Sequence, residues 1–197
     1  MPLKITVRSV LPSRESGDLV VVGVASLEGG KKKNVRTPLD GFDRALGGAL
    51  SKQIRREEFK GKKDQQLSIS TLGRVKADRL IVAGLGDVAK LTAGDVRTFA
   101  AKAARAANAD RAKRLVLGLP AGLEGRLREV VEGLELGAYR FTKYLTGDRR
   151  PKAELGQITI CLMGDVPKDA KQSVERGQAV AGGVNLARDL SNEPPNV

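Results

Sequence analysis

The chain has 197 residues, of which 41% are hydrophobic, only 3% are aromatic and none is tryptophan; it carries 35 basic against 23 acidic side chains, a formal charge of +12. That length allows one domain, or one and part of a second, around a core of Val, Leu, Ile and Ala, and the charge points to an anionic partner such as nucleic acid or to an acidic remainder of a larger protein. There is no histidine, which excludes Ser-His-Asp triads, Cys-His dyads and the commonest zinc sites.

The opening stretch LKITVRSV is too short and too charged for a secretory signal. No apolar run approaches the span of a bilayer, so a soluble protein is expected. Residues 4–10 alternate apolar and polar as a half-buried strand does. Residues 19–25, LVVVGVA, form a continuous β-branched run, the pattern of a strand covered on both faces. Residues 40–59 read as one helix, with Phe42, Leu46, Leu50 and Ile54 recurring every four positions. QLSISTLG and DRLIVAGLG give two further strands. In the alanine-rich helix that follows, Thr92 with Asp95 three residues on predicts a capping box.

Residues 112–120 read as a buried strand and residues 124–146 as a long helix, striped by Leu127, Val131, Leu134, Ala138, Phe141 and Leu145. QITICLM is the last strand. A final helix starts near Pro167, where proline is tolerated. The order β, β, α, β, β, α, β, α, β, α implies an α/β fold: a three-layer α/β/α arrangement on a mixed, largely parallel sheet, with hairpin-like pairs early in the chain supplying the antiparallel part. The one cysteine, Cys161, cannot form an internal disulfide, which fits a cytoplasmic setting; in its apolar strand it reads as a small buried hydrophobe.

Three features are candidates for chemistry. AGLGD joins a buried strand to a helix, so Gly84 and Gly86 form a possible ligand loop that would bring backbone N–H groups near a phosphate; the full G-x-G-x-x-G is missing because residue 89 is Ala. In GLEGRL, Glu124 has no acidic neighbour before Glu129 and reads as the charged first turn of a helix, with no catalytic or metal role. The basic clusters are Lys31-Lys32-Lys33, then Lys52, Arg55, Arg56, Lys60, Lys62 and Lys63, and Arg149-Arg150. The middle one is a possible nucleic-acid surface, tracking phosphates, although no aromatics are interleaved for base stacking.

The closing stretch NLARDLSNEPPN, with Asn185, Leu186, Arg188, Asp189, Leu190, Asn192, Pro194 and Asn196, resembles the segment joining the two domains of the leucyl (cytosol) aminopeptidase family. LIVAGLGDVAKLTAGDVR resembles that family's strand, glycine turn and helix, and EGLELGAYRF resembles its long helix. The resemblance spans residues 75–197. It implies a macro-domain-like, non-catalytic N-terminal domain over residues 1–184, with residues 185–197 beginning a linker to a second, catalytic domain. It further implies that the full-length protein removes N-terminal amino acids from peptides, uses two divalent ions (zinc, manganese or magnesium) held in the second domain, and is a hexamer. On this reading Asn185, Arg188, Asp189, Asn192, Pro194 and Asn196 position domains, no residue of this chain is catalytic or binds metal, and the chain alone is inactive. The alternative is a stand-alone module that binds nucleic acid or an ADP-ribose-like ligand.

Overall fold

The computed structural model describes residues 3–26 and 37–194. Six strands, β1 (Lys4–Ser9), β2 (Leu19–Ala25), β3 (Gln66–Ser70), β4 (Arg79–Gly86), β5 (Arg114–Gly118) and β6 (Gln157–Leu162), form one sheet in the order β1-β6-β5-β2-β4-β3. The helices are α1 (Phe42–Ala45), α2 (Ala49–Arg56), α3 (Ala93–Ala109), α4 (Leu127–Ala138) and α5 (Ala170–Asn192).

The two-residue period of the central strands sorts their side chains onto opposite faces. Leu19, Val21, Ile81, Leu115, Leu117, Ile158 and Ile160 join the core under α3 and α4. Val20, Val22, Leu80, Val82, Val116 and Cys161 join a second core with Phe42, Leu46, Leu50 and Phe59. The result is a three-layer α/β/α domain on a mixed sheet.

Three expectations change. β1 and β2 do not form a hairpin: β1 crosses to the sheet edge and pairs parallel with β6, while β2 lies parallel between β4 and β5. The antiparallel pair in the sheet is β3 with β4. The helix read over residues 40–59 is two, because Gly47 and Gly48 adopt positive φ of 61° and 79° and reset the chain direction; Phe42, Leu46 and Leu50 are buried all the same. The helix read over residues 124–146 ends at Ala138, since Tyr139 turns to φ −55°, ψ 132° and leaves Phe141 and Leu145 outside it.

α4 lies against α3 through Gly133 and Gly137. A Cβ on Gly133 would stand 2.8 Å from the Ala100 Cβ, and one on Gly137 would stand 2.6 Å from the Ala101 Cα. α5 packs on the other side of α4, with Gly177 against Val131 and the Arg128 carbonyl. The predicted capping box is present, Thr92 and Asp95 bonding each other's backbone N–H.

Candidate functional site

Helix α4 ends without a glycine cap, so its last carbonyls need partners from elsewhere. They come from distant side chains. Asn185 Nδ2 donates to the Glu135 carbonyl at 3.4 Å, Arg188 Nη1 to Leu136 at 3.1 Å, and Asn108 Nδ2 to Ala138 at 3.0 Å. The Arg188 cation also sits where the helix dipole is negative, 5.4 Å from the centroid of the Tyr139 ring.

The segment after α4 then folds back onto the end of α5. Tyr139 donates its hydroxyl to Asp189 Oδ1 at 2.9 Å. Lys143 Nζ bonds Glu193 Oε1 at 2.6 Å, and the Tyr144 hydroxyl bonds the other Glu193 oxygen. Burial and the Asp189 carboxylate push the Tyr139 phenol above its usual value; bonds from Lys143 and Tyr144 hold the Glu193 carboxyl low. Asn192 Nδ2 returns to the Arg188 carbonyl at 2.8 Å. Asn185, Arg188, Asp189 and Asn192 are thus brought together as a clasp on α4. Pro194 follows it directly; Asn196 lies outside the described residues, as do Lys31, Lys32 and Lys33.

Two carboxylates of α4 are also buried. Glu132, 2% exposed, accepts from Arg97 Nε at 2.5 Å and Arg128 Nε at 2.8 Å. Burial pushes its carboxyl up, but the two guanidinium groups outweigh this and hold it below the usual range. Glu135 Oε1 accepts from the Leu3 N–H at 3.1 Å and Gln178 Nε2 at 2.8 Å, tying the start of the chain to α5. Sequence reasoning missed this whole set; the Arg128–Glu132 spacing of four was the one local signal that could have found part of it.

The other candidates are occupied by the fold. The Gly84 N–H donates to the Gln65 carbonyl at 2.8 Å and the Gly86 N–H to Gly61 at 2.9 Å, so both N–H groups of the predicted loop are already paired within the fold. A Cβ on Gly84 would strike the Lys62 carbonyl, and Gly86 has φ +70°, so both glycines have a packing reason. Gly84 lines a cleft of about 80 Å³ between α3 and β4, floored by Ile81, Leu85 and Phe99 and crossed by Lys63–Asp95 at 2.5 Å and Lys102–Asp64 at 3.0 Å. Lys52, Arg55 and Arg56 are exposed on α2, and Lys60, Lys62 and Lys63 are exposed on the loop leading to β3. Glu124 closes a local turn by accepting from the Gly122 N–H at 2.7 Å.

These carboxylates do not fit a two-metal centre. Glu132 is held by two arginines, Asp18 by Arg114 and Asp95 by Lys63, and no group of three His, Cys, Asp or Glu side chains converges among the described residues. Burial pushes the Cys161 thiol up to about 12, which removes it as a nucleophile at neutral pH.

The fold and clasp define an α/β/α domain built around the anchoring of its last helix. Residues 21–148 match the family described as "Cytosol aminopeptidase family, N-terminal domain". The chain belongs to that family and corresponds to its N-terminal domain. It is 34% identical over 186 residues to a probable cytosol aminopeptidase of Alkaliphilus oremlandii, covering 91% of this chain and 36% of that protein. A second such protein, from Syntrophotalea carbinolica, is 38% identical over 164 residues, with 79% and 33% covered. The chain therefore spans about a third of the length of these curated relatives. Among solved structures, a tomato leucine aminopeptidase mutant superposes with a TM-score of 0.78 over 99% of this chain and 39% of its own; at 23% identity it speaks for the fold alone. The bottromycin maturation enzyme BotP gives 0.58 at 26% identity, covering 91% and 33%, and a structure of it in complex with Mn is similar too. No helix among the described residues is long and apolar enough to cross a membrane.

Proposed function

We propose that this chain is the non-catalytic N-terminal part of a cytoplasmic leucyl aminopeptidase whose full-length form removes N-terminal amino acids from peptides. Residues 1–184 form the domain and residues 185–197 begin the connector. The domain's work is positional: it fixes the direction in which the chain enters the catalytic domain and contributes to a hexamer. The observation that carries this is the clasp, in which Asn185 and Arg188 cap α4 while Tyr139, Lys143 and Tyr144 hold Asp189 and Glu193. Hydrolysis by two metal ions would belong to the following domain, since clamping nucleophile and leaving group needs a convergent ligand set. The coding sequence beyond the codon for Val197 tests the reading. A continuing frame that encodes a larger domain with the Asp and Glu residues needed to hold two metal ions is expected; a stop codon at that point would overturn it.

A second reading has one observation in its favour, the exposed Lys52, Arg55 and Arg56 on α2. If this surface binds nucleic acid, affinity falls steeply with salt; affinity for a DNA duplex that is flat between 50 and 200 mM salt removes it. An ADP-ribose-like ligand is disfavoured, because the cleft beside Gly84 holds about 80 Å³, well under the roughly 300 Å³ at which ligand sites begin.

A further inference from the structure

The second half of α5 has its polarity reversed. Its inner side carries Asn185 and Arg188, which donate to carbonyls of α4, Asp189, which accepts from Tyr139, and Asn192, which bonds back to the Arg188 carbonyl within α5. Its outer side carries Val180, Gly183, Leu186, Ala187 and Leu190, whose three- and four-residue spacing is that of one helical face. In a helix of an isolated domain this stripe would face the core. Here Leu186 is 59% and Leu190 68% exposed, and Val180 and Val184 beside them are exposed too. Single exposed aliphatics are ordinary; a contiguous stripe over three turns marks an interaction surface.

The backbone along the stripe is also open. No atom lies within 4 Å of where a Cβ would stand on Gly182 or Gly183, so another element can approach this helix closely, at axis separations near 8 Å. The same device already works inside the domain, where Gly133 and Gly137 bring α4 onto α3.

The length of the relatives decides between occupants. This chain covers 36% and 33% of the two compared, so most of each relative lies beyond the matched part. α5 is the last element of this part, and the clasp fixes its end beside the stripe. Resting on the proposed full-length reading, we infer that the outer face of α5 is the seat of the catalytic domain, which covers Val180, Gly183, Leu186, Ala187 and Leu190 with an aliphatic surface of its own. The reversed helix is then an interior helix of the full-length protein, polar toward the N-terminal domain and apolar toward the catalytic one.

Thiol labelling tests this directly, because the native Cys161 is buried. Leu186→Cys, read by peptide mass after a maleimide pulse, should label rapidly in the 197-residue chain and at least tenfold more slowly in the full-length protein. Leu72→Cys, on the exposed β3–β4 turn, should label alike in both. As a second arm, Leu186→Asp with Leu190→Asp should leave the melting of the 197-residue chain unchanged and lower that of the full-length protein. Equal labelling of Leu186→Cys in both forms overturns the inference. So does protection in the 197-residue chain that grows with its own concentration, which would make a second copy the occupant. Activity is assayed separately: an inactive full-length protein that still shields position 186 sinks only the aminopeptidase reading, and an active one that leaves it reactive sinks only this inference.

Discussion

The buried Glu132 gives the sharpest test of how the helical layer is held. Changing both Arg97 and Arg128 to Met keeps the apolar stems but removes both guanidinium groups from a carboxylate that is 2% exposed. Stripping a buried ion of its partners costs about 3–5 kcal/mol. For a domain of this length that is roughly 6–20 °C in Tm. Glu132→Gln is the milder change, about 1.5–3 kcal/mol for lost charged hydrogen bonds, because Arg97 and Arg128 are 40% and 52% exposed and regain water. The pH dependence has a definite sign. In the parent the folded Glu132 value lies below the unfolded one, so its contribution is fully present above the ordinary Glu range and is lost as pH falls through the folded value. In the double variant burial acts without its counterweight and raises the folded value, so protonation now favours folding. The gap between parent and variant should be widest at pH 7 and shrink toward pH 4. Urea unfolding followed by circular dichroism at both pH values measures it. A double variant within about 1 kcal/mol of the parent at pH 7, the range of an exposed pair, or a gap that does not narrow at pH 4, would refute the reasoning.

The close helix contacts make a paired prediction: Gly133→Ala should lower stability by about 1–3 kcal/mol through overpacking, whereas Gly183→Ala, in open space, should raise it in the 197-residue chain by up to about 1 kcal/mol, both read from thermal melts. Leu72 has φ +51° beside Gly73 at +75°, with the Arg74 N–H closing the turn on the Thr71 carbonyl, so Leu72→Asn should add about 1 kcal/mol by suiting a left-handed position; an unchanged urea midpoint would contradict this. With its thiol pushed up to about 12, Cys161 should resist iodoacetamide at pH 8 until urea unfolds the chain; native-state alkylation at a free thiol's rate would count against its burial.

The sequence spoke clearly where structure is set locally. Thr92 and Asp95 sit at a helix start and bond as their spacing says, and the β-branched run of β2 is buried on both faces. It was silent where partners lie far along the chain. Nothing near Ala138 ends α4; the caps arrive from Asn108, Asn185 and Arg188, and the apolar stripe running on to Leu145 invites a longer helix. β1 carries no mark of its pairing with β6, more than 150 positions away. The positions of the linker motif were visible in the sequence, yet their bonds to Tyr139 and Leu136 and the outward stripe of α5 emerge only when α4 and α5 lie side by side.

The central claim, that this domain positions but does not catalyse, meets its most direct test in one assay. The 197-residue chain and the full-length protein are purified, and each is incubated with a leucyl amide in the presence of zinc, manganese or magnesium. Metal-dependent release of leucine by the full-length protein and none by the 197-residue chain is the predicted result. Metal-dependent release by the 197-residue chain itself would contradict the account.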